Sequence, residues 1–238
     1  MLIAVAVAVA ALVAGCGSSP DAPDPPAREP AATASAVSGL DVDVRVTPAK
    51  AGTPERPQGV TLDLRLALGS PDDVEPPLAT RADVRLPDGT RYDGAGRPTC
   101  SAARLARGGP DRCPDGSIVG HGTAVADADT SRSEGTITVV NGGADTLFLF
   151  TTLAHPVRVQ AVVPGTIRRG RLRLTFPEEL QVVAGVPLAL RELEVRAGRD
   201  DWLATTACPA SGAWEVEAAV SFDDGSRATR AETVPCDA

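Results

Sequence analysis

The chain has 238 residues, with 31 acidic against 23 basic side chains and a formal net charge of −8. That balance excludes nucleic acid as a partner, because tracking a phosphate backbone needs a basic footprint. Two Trp, one Tyr and four Phe leave the core to Val, Leu and Ala, and argue against a carbohydrate site built on aromatic platforms.

Residues Leu2 to Ala14 are apolar without interruption. This run is shorter than the roughly 20 residues a membrane-spanning helix requires, and it suits the apolar region of a signal peptide. Small residues Ala14 and Gly15 then precede Cys16. The run Leu12-Val13-Ala14-Gly15-Cys16 resembles the lipobox of bacterial lipoproteins. The resemblance implies a signal peptide over residues 1–15, a diacylglyceryl group on the Cys16 sulfur, and a position on the extracytoplasmic face of the cell membrane. No Lys or Arg precedes the apolar run. Either the N-terminal amine supplies the positive charge, or a basic segment lies upstream of Met1.

Residues 16–39 read as the acylated cysteine and a disordered tether. Pro20, Pro23, Pro25, Pro26 and Pro30 stand among Ala, Ser, Asp and Thr, and such a segment cannot bury enough apolar surface to offset its ordering entropy. Extended at about 3.1 Å per residue, it would lift the body roughly 70 Å from the bilayer. Residues 1–15 carry no charged side chain, and Asp21, Asp24 and Glu29 against Arg28 give the tether −2, so the body keeps −6.

The body, residues 40–238, alternates apolar and polar residues with a period of two, the signature of half-buried strands. Leu40 to Val46 alternates cleanly, and Val60 to Leu68 places Val60, Leu62, Leu64, Leu66 and Leu68 on one face. Ala82, Val84 and Leu86 repeat the pattern and end at the turn Pro87-Asp88-Gly89. Ser101 to Arg107 predicts a short helix, capped by Ser101 and stopped at Gly108. Thr136 to Val140 leads to Asn141-Gly142, a hairpin-turn dipeptide, followed by a strand from Thr146 to Leu153. Pro156 to Val163, Arg171 to Phe176, Ala189 to Val195 and Ala213 to Phe222 also read as strands. After the turn Asp223-Asp224-Gly225, a last strand leads to Cys236.

Beyond Cys16 there are four cysteines, Cys100, Cys113, Cys208 and Cys236, which allow three pairings. Pairing Cys100 with Cys113 and Cys208 with Cys236 closes the two shortest loops and is the expected arrangement outside the cytoplasm. A four-cysteine zinc site is the rival, but no C-x-x-C pair is present. About ten or more short strands with turns between them predict an all-β, antiparallel β-sandwich with one short helix and two disulfides, forming a single domain over residues 40–238.

The segment from Cys113 to Ala124, with Cys100 and Leu105 before it and Ala207-Cys208-Pro209, Trp214, Asp224-Gly225 and Cys236 after it, resembles a pattern in uncharacterised secreted proteins of actinobacteria. The resemblance supports the disulfide pairing and the compartment, and it implies no activity. Gly116, Gly120 and Gly122 read as scaffold, permitting turns, bulges or close backbone approach.

The residues that could carry chemistry do not assemble into a known motif. His121 and His155 lack metal-binding spacing. Asp127-Ala128-Asp129-Thr130-Ser131 begins like a calcium loop, but Arg132 and Thr138 occupy the positions that need Gly and Glu. Gly116-Ser117-Ile118-Val119-Gly120 misplaces the serine for a nucleophile elbow. Arg168, Arg169, Arg171 and Arg173 form a basic cluster at a hairpin entrance, a candidate contact for lipid headgroups or an anionic wall polymer. The sequence therefore predicts no cofactor and a non-enzymatic, lipid-anchored surface module. Its partners would be the membrane itself and a wall polymer, lipid or protein. The alternatives are a carrier holding an apolar ligand in its core, and a hydrolase using His121 or His155 beside an acid and a nucleophile.

Overall fold

The computed structural model describes residues 39–70, 77–128, 131–155, 157–198 and 201–237. The expected leader, Cys16 and the tether as far as Ser38 lie outside the described residues, as do Pro156 and the pair Asp129-Thr130, while Gly39, expected to end the tether, opens the first strand. In chain order the strands are β1 (Gly39–Thr47), β2 (Gln58–Gly59), β3 (Thr61–Gly69), β4 (Ala79–Arg85) and β5 (Thr90–Tyr92). The helix α1 (Ala102–Gly108) follows, then β6 (Ile118–Ala128), β7 (Ser131–Gly143), β8 (Thr146–Leu153), β9 (Val159–Arg168) and β10 (Arg171–Thr175). The last strands are β11 (Val182–Val183), β12 (Val186–Ala197), β13 (Leu203–Thr205), β14 (Ala213–Phe222) and β15 (Arg227–Pro235).

One twelve-stranded antiparallel sheet runs β1-β3-β12-β6-β7-β8-β9-β10-β4-β14-β15, with β11 pairing only with β12. Strand direction alternates along this path, so its odd count makes β1 and β15 run the same way. They pack side by side, and just beyond their ends Lys50 and Asp237 form a parallel bridge. There the Ala51 N–H donates to the Asp237 carbonyl at 2.8 Å, and the Asp237 N–H to that of Ala49 at 2.7 Å. The sheet is thus a nearly closed barrel rather than the expected two-layer sandwich. Period-two alternation marks one buried face in either architecture, and it does not say whether that face meets a second sheet or curls around onto itself.

The inward face packs Leu64 and Leu66 of β3, Ala82 and Val84 of β4, Leu147 and Leu149 of β8, Leu193 of β12, and Trp214, Val216 and Val220 of β14 into one core. Leu66 lies in register with Val42 on one side and Leu193 on the other, so the apolar row continues across strands. Burying each such side chain contributes about 1.5–3 kcal/mol. Gly120 and Gly122 of β6 belong to this frame. A β-carbon on either would collide with the carbonyl oxygens of Arg196 and Glu194 on β12. The glycines let the two backbones close together, as at a barrel corner.

Strand β8 departs from alternation, and α1 explains why. Leu147 and Leu149 face the barrel core, while Phe148 and Phe150 face outward and pack with Val140, Cys100 and the fully buried Leu105 of α1. Both faces of β8 are covered, so its sequence is a continuous apolar run. The helix is capped as expected: the Ser101 Oγ accepts from the Arg104 N–H at 3.3 Å. Gly109, with φ of 69°, ends it by donating to the Leu105 carbonyl at 2.8 Å.

Both expected disulfides are present, with Cα separations of 5.3 Å for Cys100–Cys113 and 5.9 Å for Cys208–Cys236. Their sequence separations of 13 and 28 residues correspond to about 3 and about 3.6 kcal/mol of unfolded-state entropy removed.

A separate three-stranded sheet, β2-β13-β5, lies beside the barrel. Trp202 and Leu203 at its start join the barrel core. Its link is Asn141, which corrects the expected hairpin turn: β7 continues through Asn141 and Gly142, and the turn falls at Ala144-Asp145. Asn141 is fully buried. Its Nδ2 donates to the carbonyls of Gly94 at 2.9 Å and Pro98 at 3.0 Å. Its Oδ1 stands 2.9 Å from the Tyr92 hydroxyl and 3.4 Å from the Trp202 Nε1. An amide so fully engaged cannot sit at an exposed turn tip, whatever its intrinsic preference.

Candidate functional site

The outward face of β9, β10, β4, β14 and β15 carries the densest arrangement of charge tied to the expected basic cluster. On β10, Leu174 is buried in the core while Arg171 and Arg173 project outward, as alternation requires. Register then builds two rows across the sheet. Arg171 lies opposite Arg168 on β9 and Arg85 on β4, and Arg85 lies opposite Glu217 on β14. Arg173 lies opposite Thr166 on β9 and Asp83 on β4, with Ala219 of β14 on the far side of Asp83.

The second row is neutralised at its centre. Asp83 is 4% exposed, although it sits on the outer face. It accepts from the Arg173 Nε at 2.7 Å and the Arg81 Nε at 3.1 Å, and Arg227 stands 3.6 Å away. Burial alone would push this carboxyl up, but the hydrogen bond from Arg173 and the charges of Arg173, Arg81 and Arg227 outweigh it and hold it below its ordinary value of 3.8. Three guanidiniums against one carboxylate leave the group at +2.

The first row is not neutralised in this way. Arg168, Arg171 and Arg85 stand abreast on three neighbouring strands, a placement that costs stability when like charges face each other. Arg168 reaches Asp145 at 3.4 Å and Arg85 reaches Asp88 at 3.7 Å. Both are exposed pairs that hold their partners weakly. Arg171 makes no ion pair or hydrogen bond with another side chain among the described residues.

The structure therefore brings Arg168, Arg171 and Arg173 onto one face. Arg169 occupies the tip of the β9–β10 turn with φ of 52°, outside the strand register. Arg81, Asp83, Arg85 and Arg227, which lie outside the cluster legible in the sequence, complete the face. The alternation Arg81-Ala82-Asp83-Val84-Arg85 is visible in the chain. What it does not show is that β4 inserts between β10 and β14, strands far from it in sequence.

Other candidate positions are structural or isolated. Ser117 is fully buried, and its hydroxyl donates to the Pro114 carbonyl at 2.7 Å. His121, on β6 opposite Thr138 and Arg196, is exposed. His155 is exposed too, and its backbone carbonyl accepts from Ser133. Neither imidazole makes a hydrogen bond to an acid or a nucleophile among the described residues. Asp127 instead pairs with Arg191 of β12.

Among the described residues, apolar cavities of about 50 Å³ lie in the core, and Leu149 and Leu193 border more than one of them. Sites for small ligands typically run to about 300–1,000 Å³, so these are gaps in packing at a scale well below an acyl chain. Compared with known proteins, the chain matches no family model, no curated protein and no solved structure.

Proposed function

We propose that this protein is a lipid-anchored surface module, held to the extracytoplasmic face of a cell membrane through Cys16, that contacts an anionic partner with the outer face of β9, β10 and β4. The observation that carries this reading is the row Arg168–Arg171–Arg85, set in register on three adjacent strands beside the +2 group around Asp83, in a chain whose net charge is −8. A rigid barrel carrying three arginines on neighbouring strands, whose backbones run about 5 Å apart, suits repeated anionic groups on a wall polymer or on lipid headgroups. Two disulfides suit an oxidising compartment, and the lipobox resemblance supplies the anchor.

Two measurements test the reading. Cys16→Ser should move the protein from the membrane to the soluble fraction; unchanged membrane association would remove the anchor from the proposal. Sedimentation with anionic vesicles or a polyanionic wall polymer should weaken on raising salt, and should fall further for Arg171→Ala combined with Arg85→Ala. Salt-insensitive binding that the double variant leaves unchanged would overturn the assigned face.

A further inference from the structure

A second basic feature lies on the only α-helix among the described residues, and it is built differently from the sheet face. Arg104 and Arg107 are three residues apart on α1, on one side of the helix. After Gly109 a single 3-10 turn, Pro110–Arg112, reverses the chain. It lays the Arg112 side chain over Gly108, so closely that a β-carbon at Gly108 would strike the Arg112 Cγ. Arg104, Arg107 and Arg112 thereby line one depression of about 460 Å³ together with Gly108.

The lining of this depression, Arg104, Arg107, Gly108 and Arg112, holds no counter-charge. Nine other arginines, from Arg65 to Arg230, each stand within 4 Å of a carboxylate. The side chains of Arg104, Arg107 and Arg112 make no ion pair or hydrogen bond among the described residues. That is so although the chain holds 31 acidic residues and Asp111 lies inside the same turn. The platform beneath them is rigid: Leu105 is fully buried against Phe148, Phe150 and Val140, and the Cys100–Cys113 disulfide closes the segment at both ends. Three arginines lining one depression on a fixed backbone frame, with no internal anion, supply the donor forks that bind tetrahedral oxyanions bidentately.

We propose that Arg104, Arg107 and Arg112 form a phosphate-binding site, separate from the sheet face and dependent on Gly108 for the placement of Arg112. The site takes the phosphate group itself, whether free, in a soluble polymer or on a lipid headgroup.

The test uses the full chain and three probes: inorganic phosphate, polyphosphate, and phosphatidylglycerol vesicles, each titrated at low salt. The wild type should bind at least one of them saturably. Arg107→Ala and Arg112→Ala should each weaken that binding about tenfold or more. Changing all three arginines to Lys should weaken it although the charge is kept. Gly108→Ala should weaken it by displacing Arg112, whereas Arg45→Ala, on the exposed side of β1 and outside both basic faces, should leave phosphate binding unchanged. These side chains are exposed, and circular dichroism with a thiol count checks that each variant remains folded and bridged. Binding of inorganic phosphate assigns a free ion, of polyphosphate alone a polymer, and of vesicles alone a headgroup. The proposal is overturned if no probe binds, or if a folded triple-alanine variant binds as the wild type does. Loss of binding in Arg171→Ala but not in Arg107→Ala would assign the phosphate to the sheet face instead.

Discussion

Asp83→Asn is the most revealing single change on the sheet face, because it should move stability and binding in opposite directions. The substitution keeps the side chain's volume and removes one negative charge from between Arg173, Arg81 and Arg227. Arg173 donates to Oδ1 at 2.7 Å and Arg81 to Oδ2 at 3.1 Å, so in asparagine one charge-assisted bond becomes neutral at its acceptor and the other is lost against an amide nitrogen that cannot accept. Such bonds contribute about 1.5–3 kcal/mol each when buried, against about 1 kcal/mol for a neutral one. One weakened bond and one lost bond sum to about 2–5 kcal/mol; the arginines are 40–50% exposed, so solvent screening removes roughly half, leaving a net loss of about 1–2.5 kcal/mol. With a slope of about 2 kcal/mol per molar urea, the unfolding midpoint should fall by about 0.5–1.2 M. The local charge rises at the same time from +2 to +3, so sedimentation with anionic vesicles or polymer should strengthen at low ionic strength and converge with the wild type at high salt. The acid limb supplies a third readout. The carboxyl is held below its ordinary 3.8 in the folded protein, so its contribution is present above that value and is lost as pH falls through the lower folded one. The stability gap between variant and wild type should therefore close in acid. An unchanged urea midpoint, or a folded variant that binds anions more weakly, would refute this account of Asp83.

Asn141→Ala should cost about 4 kcal/mol, because it leaves the Gly94 and Pro98 carbonyls and the Trp202 indole N–H buried without their partner. Tyr92→Phe should cost only about 1 kcal/mol, since the single hydroxyl proton serves one acceptor at a time among Asn141, Gly143 and Thr146. Urea unfolding of the two variants checks the ranking, and equal losses would contradict it. Tyr92 is the only tyrosine in the chain, and burial pushes its phenol up to about 12. Ultraviolet titration should therefore show one phenolate transition near 12 instead of 10. The associated stability is present below the unfolded value of about 10 and is lost as pH rises toward 12. A reversible transition at 10 in the folded protein would show that the hydroxyl is open to solvent.

Neither β6 (Ile118–Ala128) nor the short β2, β5, β11 and β13 is legible as a strand, and α1 is ended by Gly109 instead of the expected Gly108; the other long strands, the start of α1 and the cysteines that close short loops are set by local chemistry. These follow from neighbours within a few residues. Alternation is written directly in Val60 to Leu68, the Ser101 cap lies three residues from the N–H it receives, and Cys100 and Cys113 are separated by a short turn-rich stretch. Tertiary structure alone decided that the sheet curls until β1 meets β15, because closure depends on pairing the two ends of the body. It also decided that Asn141 is a buried hub instead of a turn, since the groups that engage it come from Tyr92 of β5, from Gly94 and Pro98 in the loop after it, and from Trp202 just before β13. The same holds for the charged surfaces. Arg171 and Arg173 could be seen as neighbours, but Asp83 and Arg85 join them only when β4 takes its place beside β10. The spaced Arg104, Arg107 and Arg112 become one cluster only when a disulfide-closed turn folds the last of them back over a glycine. Short-range propensity is carried by each stretch of chain alone, whereas charge convergence and closure are properties of distances that exist only after the whole sheet has formed.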